Sequence, residues 1–186
     1  DVIITMTLGK DNFLWRVVLM KARRIQLRQE VYQDDAWKIA DWLDDHEVIQ
    51  YLNEGQNVVE SIKQVIQRVN MPVLTHLFNQ KGSFFIIIEE RQPIGFLRLV
   101  PKGKAAEMVI VIGEKDYWDK GIGKHAILEG LHHAFFEWRM DEVIAKINFK
   151  NERSIRAFKS VGFKPEKELM KEIQYSISIR EFLKIG

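Results

Sequence analysis

The 186-residue chain has no cysteine, only four prolines, almost no surplus of charge of one sign and no long hydrophobic run. Without cysteine there is no thiol nucleophile, cysteine zinc site, iron–sulfur cluster or disulfide, which leaves histidine and carboxylates as the available metal ligands. The histidines do not have ligand spacing: His132 and His133 are adjacent and point in different directions on a helix, so no metal site is expected. With 28 Lys plus Arg against 26 Asp plus Glu the net charge is +2, and nothing global marks a nucleic-acid partner. The apolar runs Val2–Leu8, Phe13–Met20 and Phe84–Ile88 are too short or too interrupted to span a bilayer. The opening residues also lack a signal peptide's order of basic start, apolar run and small-residue cleavage site, so a soluble, cytoplasmic protein with no membrane partner is expected. No internal repeat or linker-like tract divides the chain, and its length suits one domain.

Patterning predicts an α+β class. Val2–Leu8 and Phe13–Met20 flank Gly9-Lys10-Asp11-Asn12 and read as a hairpin, an N-terminal extension over 1–20 ahead of a domain over 21–186. Arg24–Arg28 alternates as a strand. Ala36, Ile39, Ala40, Leu43, Val48, Ile49 and Leu52 have helical spacing and predict two short helices, with Asp34 and Asp35 placed to cap the first. Val58, Ile62, Val65, Ile66 and Val69 predict a longer helix that Pro72 separates from Leu74–Phe78. Strands are then predicted at Ser83–Glu90, Ile94–Val100 and Glu107–Ile112, with a turn at Arg91-Gln92-Pro93. A helix after Gly121-Ile122-Gly123 carries Ile127, Leu131, Ala134, Phe135 and Trp138 on one face. Strand Glu142–Phe149, helix Glu152–Val161 ended by Gly162, and closing strands Phe163–Leu169 and Glu172–Phe182 complete a mostly antiparallel sheet flanked by helices.

The segment from Ile112 to Lys124 runs from a strand end through a loop into a helix start. A helix start offers unpaired N–H groups and the positive end of the helix dipole, and glycine lets an anion approach the backbone. A P-loop requires Gly-x-x-x-x-Gly-Lys-Ser/Thr, but His125 follows Lys124 and Trp118 stands where the first glycine belongs. A dinucleotide fingerprint is superficially met by Gly121, Gly123 and Ala126. Its ribose-binding acid should end the next strand, whereas Asp141 precedes Glu142–Phe149, and the sheet reads as antiparallel.

Two motifs together point elsewhere. Trp118-Asp119-Lys120-Gly121-Ile122-Gly123 resembles the Gln/Arg-x-x-Gly-x-Gly/Ala loop of the GNAT superfamily of N-acyltransferases, with Trp at the Gln/Arg position. The run from Asn151 through Ser154 and Phe158 to Gly162-Phe163 is similar to a second motif of the branch containing the ribosomal-protein alanine acetyltransferases. Pro93-Ile94-Gly95 also matches, and the resemblance covers roughly Arg24 to the C-terminus.

The resemblance implies a GNAT-like twisted sheet and acetyl-CoA as acyl donor. The loop Trp118, Asp119, Lys120, Gly121, Ile122, Gly123 and Lys124 would receive the pyrophosphate. The strand end at Val111 and Ile112 would pair with the pantetheine arm, and Asn151, Phe158 and Lys159 would border the cofactor from the neighbouring helix. Asn151 also reads as an ordinary helix cap, and the lysines as solvated charges. Acyl transfer to an amine meets a proton problem: an alkylammonium is only ~10⁻³ deprotonated at pH 7, a cost of roughly 4–5 kcal/mol unless a base assists. By resemblance Glu107 is the expected general base, and Val109 stands where some drug-modifying relatives place an aspartate. Phe158 replaces the tyrosine that commonly protonates the leaving thiolate, which leaves Ser154 as the best motif-matched hydroxyl, with Tyr117 and Ser160 nearby.

Seven acids lie between Gln33 and Gly55 against one lysine, Lys38, and would form an acidic rim for a cationic acceptor or simply a solvated helix face. The expected function is direct acetyl transfer to a primary amine, either a protein N-terminus or a small molecule. An aminosugar or polyamine acetyltransferase, or an acyl-CoA-binding module without chemistry, are the rival readings. Without cysteine no acetyl-cysteine intermediate can form. An exposed strand edge leaves a homodimer open.

Overall fold

The computed structural model describes residues 25–52 and 57–185; the hairpin expected within 1–20 and the acid Glu54 lie outside the described residues. Strand β1 (Ile25–Arg28) leads to helices α1 (Gln33–Asp44), α2 (His46–Ile49), α3 (Val58–Arg68) and α4 (Thr75–Phe78). Strands β2 (Ser83–Glu89), β3 (Gln92–Lys102) and β4 (Ala105–Ile112) form a meander, followed by α5 (Ile122–His132) and β5 (Glu142–Asn148). Helix α6 (Glu152–Ser160), β6 (Lys164–Glu168), β7 (Glu172–Ser178) and α7 (Ile179–Phe182) close the chain.

The strands make one seven-stranded sheet in the order β1-β2-β3-β4-β5-β7-β6. Every neighbouring pair is antiparallel except β4 and β5, as expected for a mostly antiparallel α+β domain. Strand β2 is apolar on both faces because both faces are covered. Phe85 and Ile87 join Leu97, Met108, Ile127 and Leu131 in the core beneath α5. Phe84, Ile86 and Ile88 join Ile39, Leu43, Ile66 and Leu74 beneath α1 and α3 on the other side. Each such fully buried aliphatic side chain contributes roughly 1.5–3 kcal/mol, so these two layers dominate the fold's cohesion. Strand β6 is the outer edge and all of Lys164-Pro165-Glu166-Lys167-Glu168 is exposed, a composition that discourages edge-to-edge pairing.

Several boundaries differ from the sequence reading. Asp34 and Asp35 lie within the first turn of α1 rather than before it, and Asp35 closes the helix start from there. Asp35 is its third residue, accepts the Tyr32 N–H at 2.8 Å and is buried against the Arg28 guanidinium. The turn between β2 and β3 is Glu90-Arg91, both left-handed at φ 47° and 72°, so Gln92 and Pro93 already belong to the strand. Helix α5 starts at Ile122, because Gly121 at φ 77° is its left-handed cap. A single π turn, His133–Glu137, prolongs it. The last strand stops at Ser178, and Phe182 is helical.

Candidate active site

Strands β4 and β5 share only three parallel pairs, Ala105 with Glu142, Ala106 with Val143 and Glu107 with Ile144. Beyond Glu107 each strand keeps its outer antiparallel partner, β3 for one and β7 for the other, while the two diverge. The wedge between them is a cleft of about 410 Å³. Its walls are Met108–Ile112 of β4 and Ala145–Asn148 of β5, with the loop before α5, the first turns of α5 and α6, and Glu47–Leu52 of the α2 region around it.

The loop is fixed at three points. Gly113 lies flat against the buried Trp42 indole, whose Nε1–H donates to the Glu114 carboxylate at 3.2 Å. Trp118 donates Nε1–H to the Ile112 carbonyl at 2.8 Å, and the Arg153 guanidinium of α6 stacks on its ring at 3.7 Å. Asp119 and Gly121 then take left-handed φ of 55° and 77°, turning the chain into α5. A Cβ at Gly121 would meet nothing within 4 Å, and the first-turn N–H groups of α5 have no acceptor within the helix. A Cβ added at Gly123 would lie 3.7 Å from the Ala157 Cβ on α6, an ordinary contact between the two helices.

The structure brings most of the expected residues together. Val111, Ile112, Trp118, Asp119, Gly121, Ile122, Gly123, Lys124, Asn151, Ser154 and Phe158 all line the cleft. Asn151 holds both expected roles available: its Oδ1 accepts the Ser154 N–H at 3.1 Å as the α6 cap, and it borders the cleft. Phe158 is buried edge-on against Phe163 at 4.9 Å. Lys120 and Lys159 are exposed and lie outside the cleft lining, with their ammonium groups 5.9 Å from the Tyr117 and Tyr175 rings. Glu107 is not part of the lining either. It sits on the last shared rung and accepts from Lys146 Nζ at 3.1 Å, and it is Lys146 that faces the cleft.

The acidic rim is corrected by its partners. Lys115 bonds Asp45 at 2.8 Å and Glu47 at 2.7 Å, Lys63 bonds Asp44 at 3.3 Å, and Arg28 bonds the buried Asp35. The hydrogen bond from Lys115 holds the Asp45 carboxyl below the usual carboxylate range, and the same bond, followed by that to Glu47, raises Lys115. Of the described acids in this helical region only Glu47 lines the cleft. Sequence reasoning missed Lys146, Arg153 and Arg156. Arg153 and Arg156 stood inside the second motif as unassigned letters, and Lys146 becomes visible only once β5 is placed beside β4.

A family model described as "Acetyltransferase (GNAT) domain" matches residues 24–164. An uncharacterized N-acetyltransferase, p20 of Bacillus licheniformis, is 26% identical over 148 residues, covering 77% of this chain and 80% of that protein. Among solved structures, the spermidine N-acetyltransferase from Vibrio cholerae in complex with CoA and spermine superposes with a TM-score of 0.70 at 16% identity, over 86% of this chain and 98% of that one. The aminoglycoside acetyltransferase AAC(6')-Ib in complex with coenzyme A gives a TM-score of 0.71 at 12% identity, over 87% and 98%. At these identities the two structures speak for the fold alone.

Proposed function

Since this chain belongs to the GNAT acetyltransferase family, we propose that it moves an acetyl group directly from the thioester of acetyl-CoA to a primary amine. The observation that carries the reading is the wedge between β4 and β5, a single cleft with the helix start of α5 at one side and Lys146, the partner of Glu107, at the other. The open space over Gly121 accommodates a pyrophosphate against the N–H groups of Ile122, Gly123 and Lys124, with the Lys124 and Arg153 charges beside it. The free edges of Val109–Ile112 and Ala145–Asn148 offer backbone partners to an amide-rich arm, as an added strand would use them.

In the proposed reaction Glu107 takes the proton of the acceptor ammonium, directly or through water, relieving the roughly 4–5 kcal/mol cost of a free amine at neutral pH. The amine nitrogen attacks the thioester carbonyl, the C–S bond breaks with its electron pair on sulfur, and the second proton that the nitrogen loses as the amide forms passes to the thiolate through Ser154 or a water. Departure does not depend on a strong acid, because a thiol pKa near 8.5 makes the thiolate a good leaving group. The motif around Asn151, Ser154 and Phe158 favours a protein N-terminus or similar small amine as acceptor.

Calorimetry with acetyl-CoA, followed by an amine-panel acetylation assay, tests this. Wild type binds acetyl-CoA and Gly121→Glu abolishes that binding, while Glu107→Gln binds but turns over 10²–10⁴-fold more slowly, the usual range for a general base. Binding without turnover on any amine, unaltered in Glu107→Gln, overturns the transfer reaction. Binding unaffected by Gly121→Glu overturns the donor site.

A further inference from the structure

The cleft passes between two strands rather than into one face of the sheet, and so has two mouths. One opens beside α5 and α6, where the glycine loop, Lys124 and Arg153 lie. The other opens toward α2. Strand side chains alternate between faces, and Met108, Ala145 and Ile147 go into the core beneath α5, so Glu107, Val109, Lys146 and Asn148 face the α2 mouth. Its charged groups are few. Glu47 is held by Lys115 at 2.7 Å, which leaves Lys146 at the floor, with Glu107 3.1 Å behind it and 18% exposed. Lys146 uses one of its three N–H donors on Glu107 and makes no other polar contact among the described residues.

We propose that Lys146 determines acceptor specificity by taking a carboxylate that the acceptor carries close to its amine. The inference rests on the amine-acetyltransferase reading above. Lys146 and Glu107 complement a zwitterionic head group, the acceptor ammonium at the Glu107 carboxylate and the acceptor carboxylate at the Lys146 ammonium. A polycation is not favoured at this mouth, since Asp44 pairs with Lys63, Asp45 and Glu47 share Lys115, and the charge that faces the floor, Lys146, is positive. The carboxylate can come from a free α-amino acid or from an acidic side chain beside a peptide N-terminus, and the two sources share this chemistry.

The test is kcat/KM for acetyl transfer to free α-amino acids, each against its amide, to peptides beginning with an acidic or an amide residue pair, and to spermidine. Wild type is compared with Lys146→Arg, Lys146→Gln and Lys146→Glu. The carboxylate form is expected to be used at least tenfold better than the matched amide, a ratio retained by Lys146→Arg, lost in Lys146→Gln and reversed in Lys146→Glu. The ratio is internal to each variant, so partial unfolding does not imitate the result. Preference among free amino acids or among peptides identifies the source. Equal use of acid and amide, a polyamine as best acceptor, or a preference that survives Lys146→Glu overturns the inference. If acetyl-CoA binds and no amine is acetylated, the transfer reading fails on its own. Specificity is then decided by calorimetric titration of alanine and alaninamide onto CoA-loaded protein: tenfold tighter binding of alanine, abolished in Lys146→Gln, supports the inference, and equal binding overturns it.

Discussion

At Gly113 a single added methyl group would sit 2.2 Å from the buried Trp42 ring. The ring must move, and with it the hydrogen bond to Glu114 that ties α1 to the end of β4. Gly113→Ala is expected to cost about 1–3 kcal/mol, the range for overpacked cores, read as a lower urea midpoint. Gly121 presents the opposite case. Its added Cβ meets nothing, but φ 77° disfavours any L side chain, so Gly121→Ala is expected to lose only about 1–2 kcal/mol of stability. The same methyl group occupies the space assigned to the pyrophosphate, so acetyl-CoA affinity should fall by at least tenfold. Thermal denaturation and calorimetry on one preparation separate the two effects. The glycine loop was legible as the lead-in to a helix because its signal is local, a left-handed residue placed directly before the helix start. Lys146 was not legible, because its partner Glu107 is 39 residues away and meets it only through the register of β4 on β5.

Helix α7 shows both what a sequence signal can carry and how it is overlooked. Residues Glu172 to Phe182 alternate well enough to pass for one strand, yet Ser178-Ile179-Arg180-Glu181 is a capping box. Glu181 N–H donates to Ser178 Oγ at 3.3 Å, and Ser178 N–H donates to the Glu181 carboxylate at 3.0 Å. The Lys164 ammonium at 2.6 Å, with help from Ser178, lowers the Glu181 carboxyl from the usual 4.5 to about 2. A depressed carboxyl stabilises the fold fully above its unfolded value, and that share is lost as pH falls from about 4.5 toward 2. The group is a third exposed, so solvent screening keeps the effect modest. The denaturation midpoint of wild type is expected to fall more between pH 6 and pH 3 than that of Lys164→Met, and Ser178→Ala should cost about 1 kcal/mol at neutral pH. The acids of α1 and α2 teach a related lesson. Their density was plain in the sequence, but Arg28, Lys63 and Lys115 on other elements pair with four of them, so the expected acidic field around the cleft is reduced.

Over the whole molecule the sheet is two half-sheets, β1 to β4 and β5-β7-β6, joined by three parallel pairs and by the core shared under α5. The elements on each side were legible, since each carries its own periodicity, whereas the wedge belongs to no single element and exists only in their assembly. In the proposed complex the pantetheine arm bridges the gap. Those amides of Met108–Ile112 and Ala145–Asn148 that have no partner in β3 or β7 are then expected to exchange hydrogen quickly in the free protein. On addition of acetyl-CoA they should slow, as mass-spectrometric exchange would show, while β2 and β3 stay unchanged. A ligand that completes a sheet also stabilises it, by about 2.7 kcal/mol at a hundredfold excess over its dissociation constant. Cleavage by a protease that attacks opened chains would then slow as donor concentration rises. In the proposed complex the gap between β4 and β5 would make resistance to proteolysis a gauge of how much acetyl-CoA surrounds the protein.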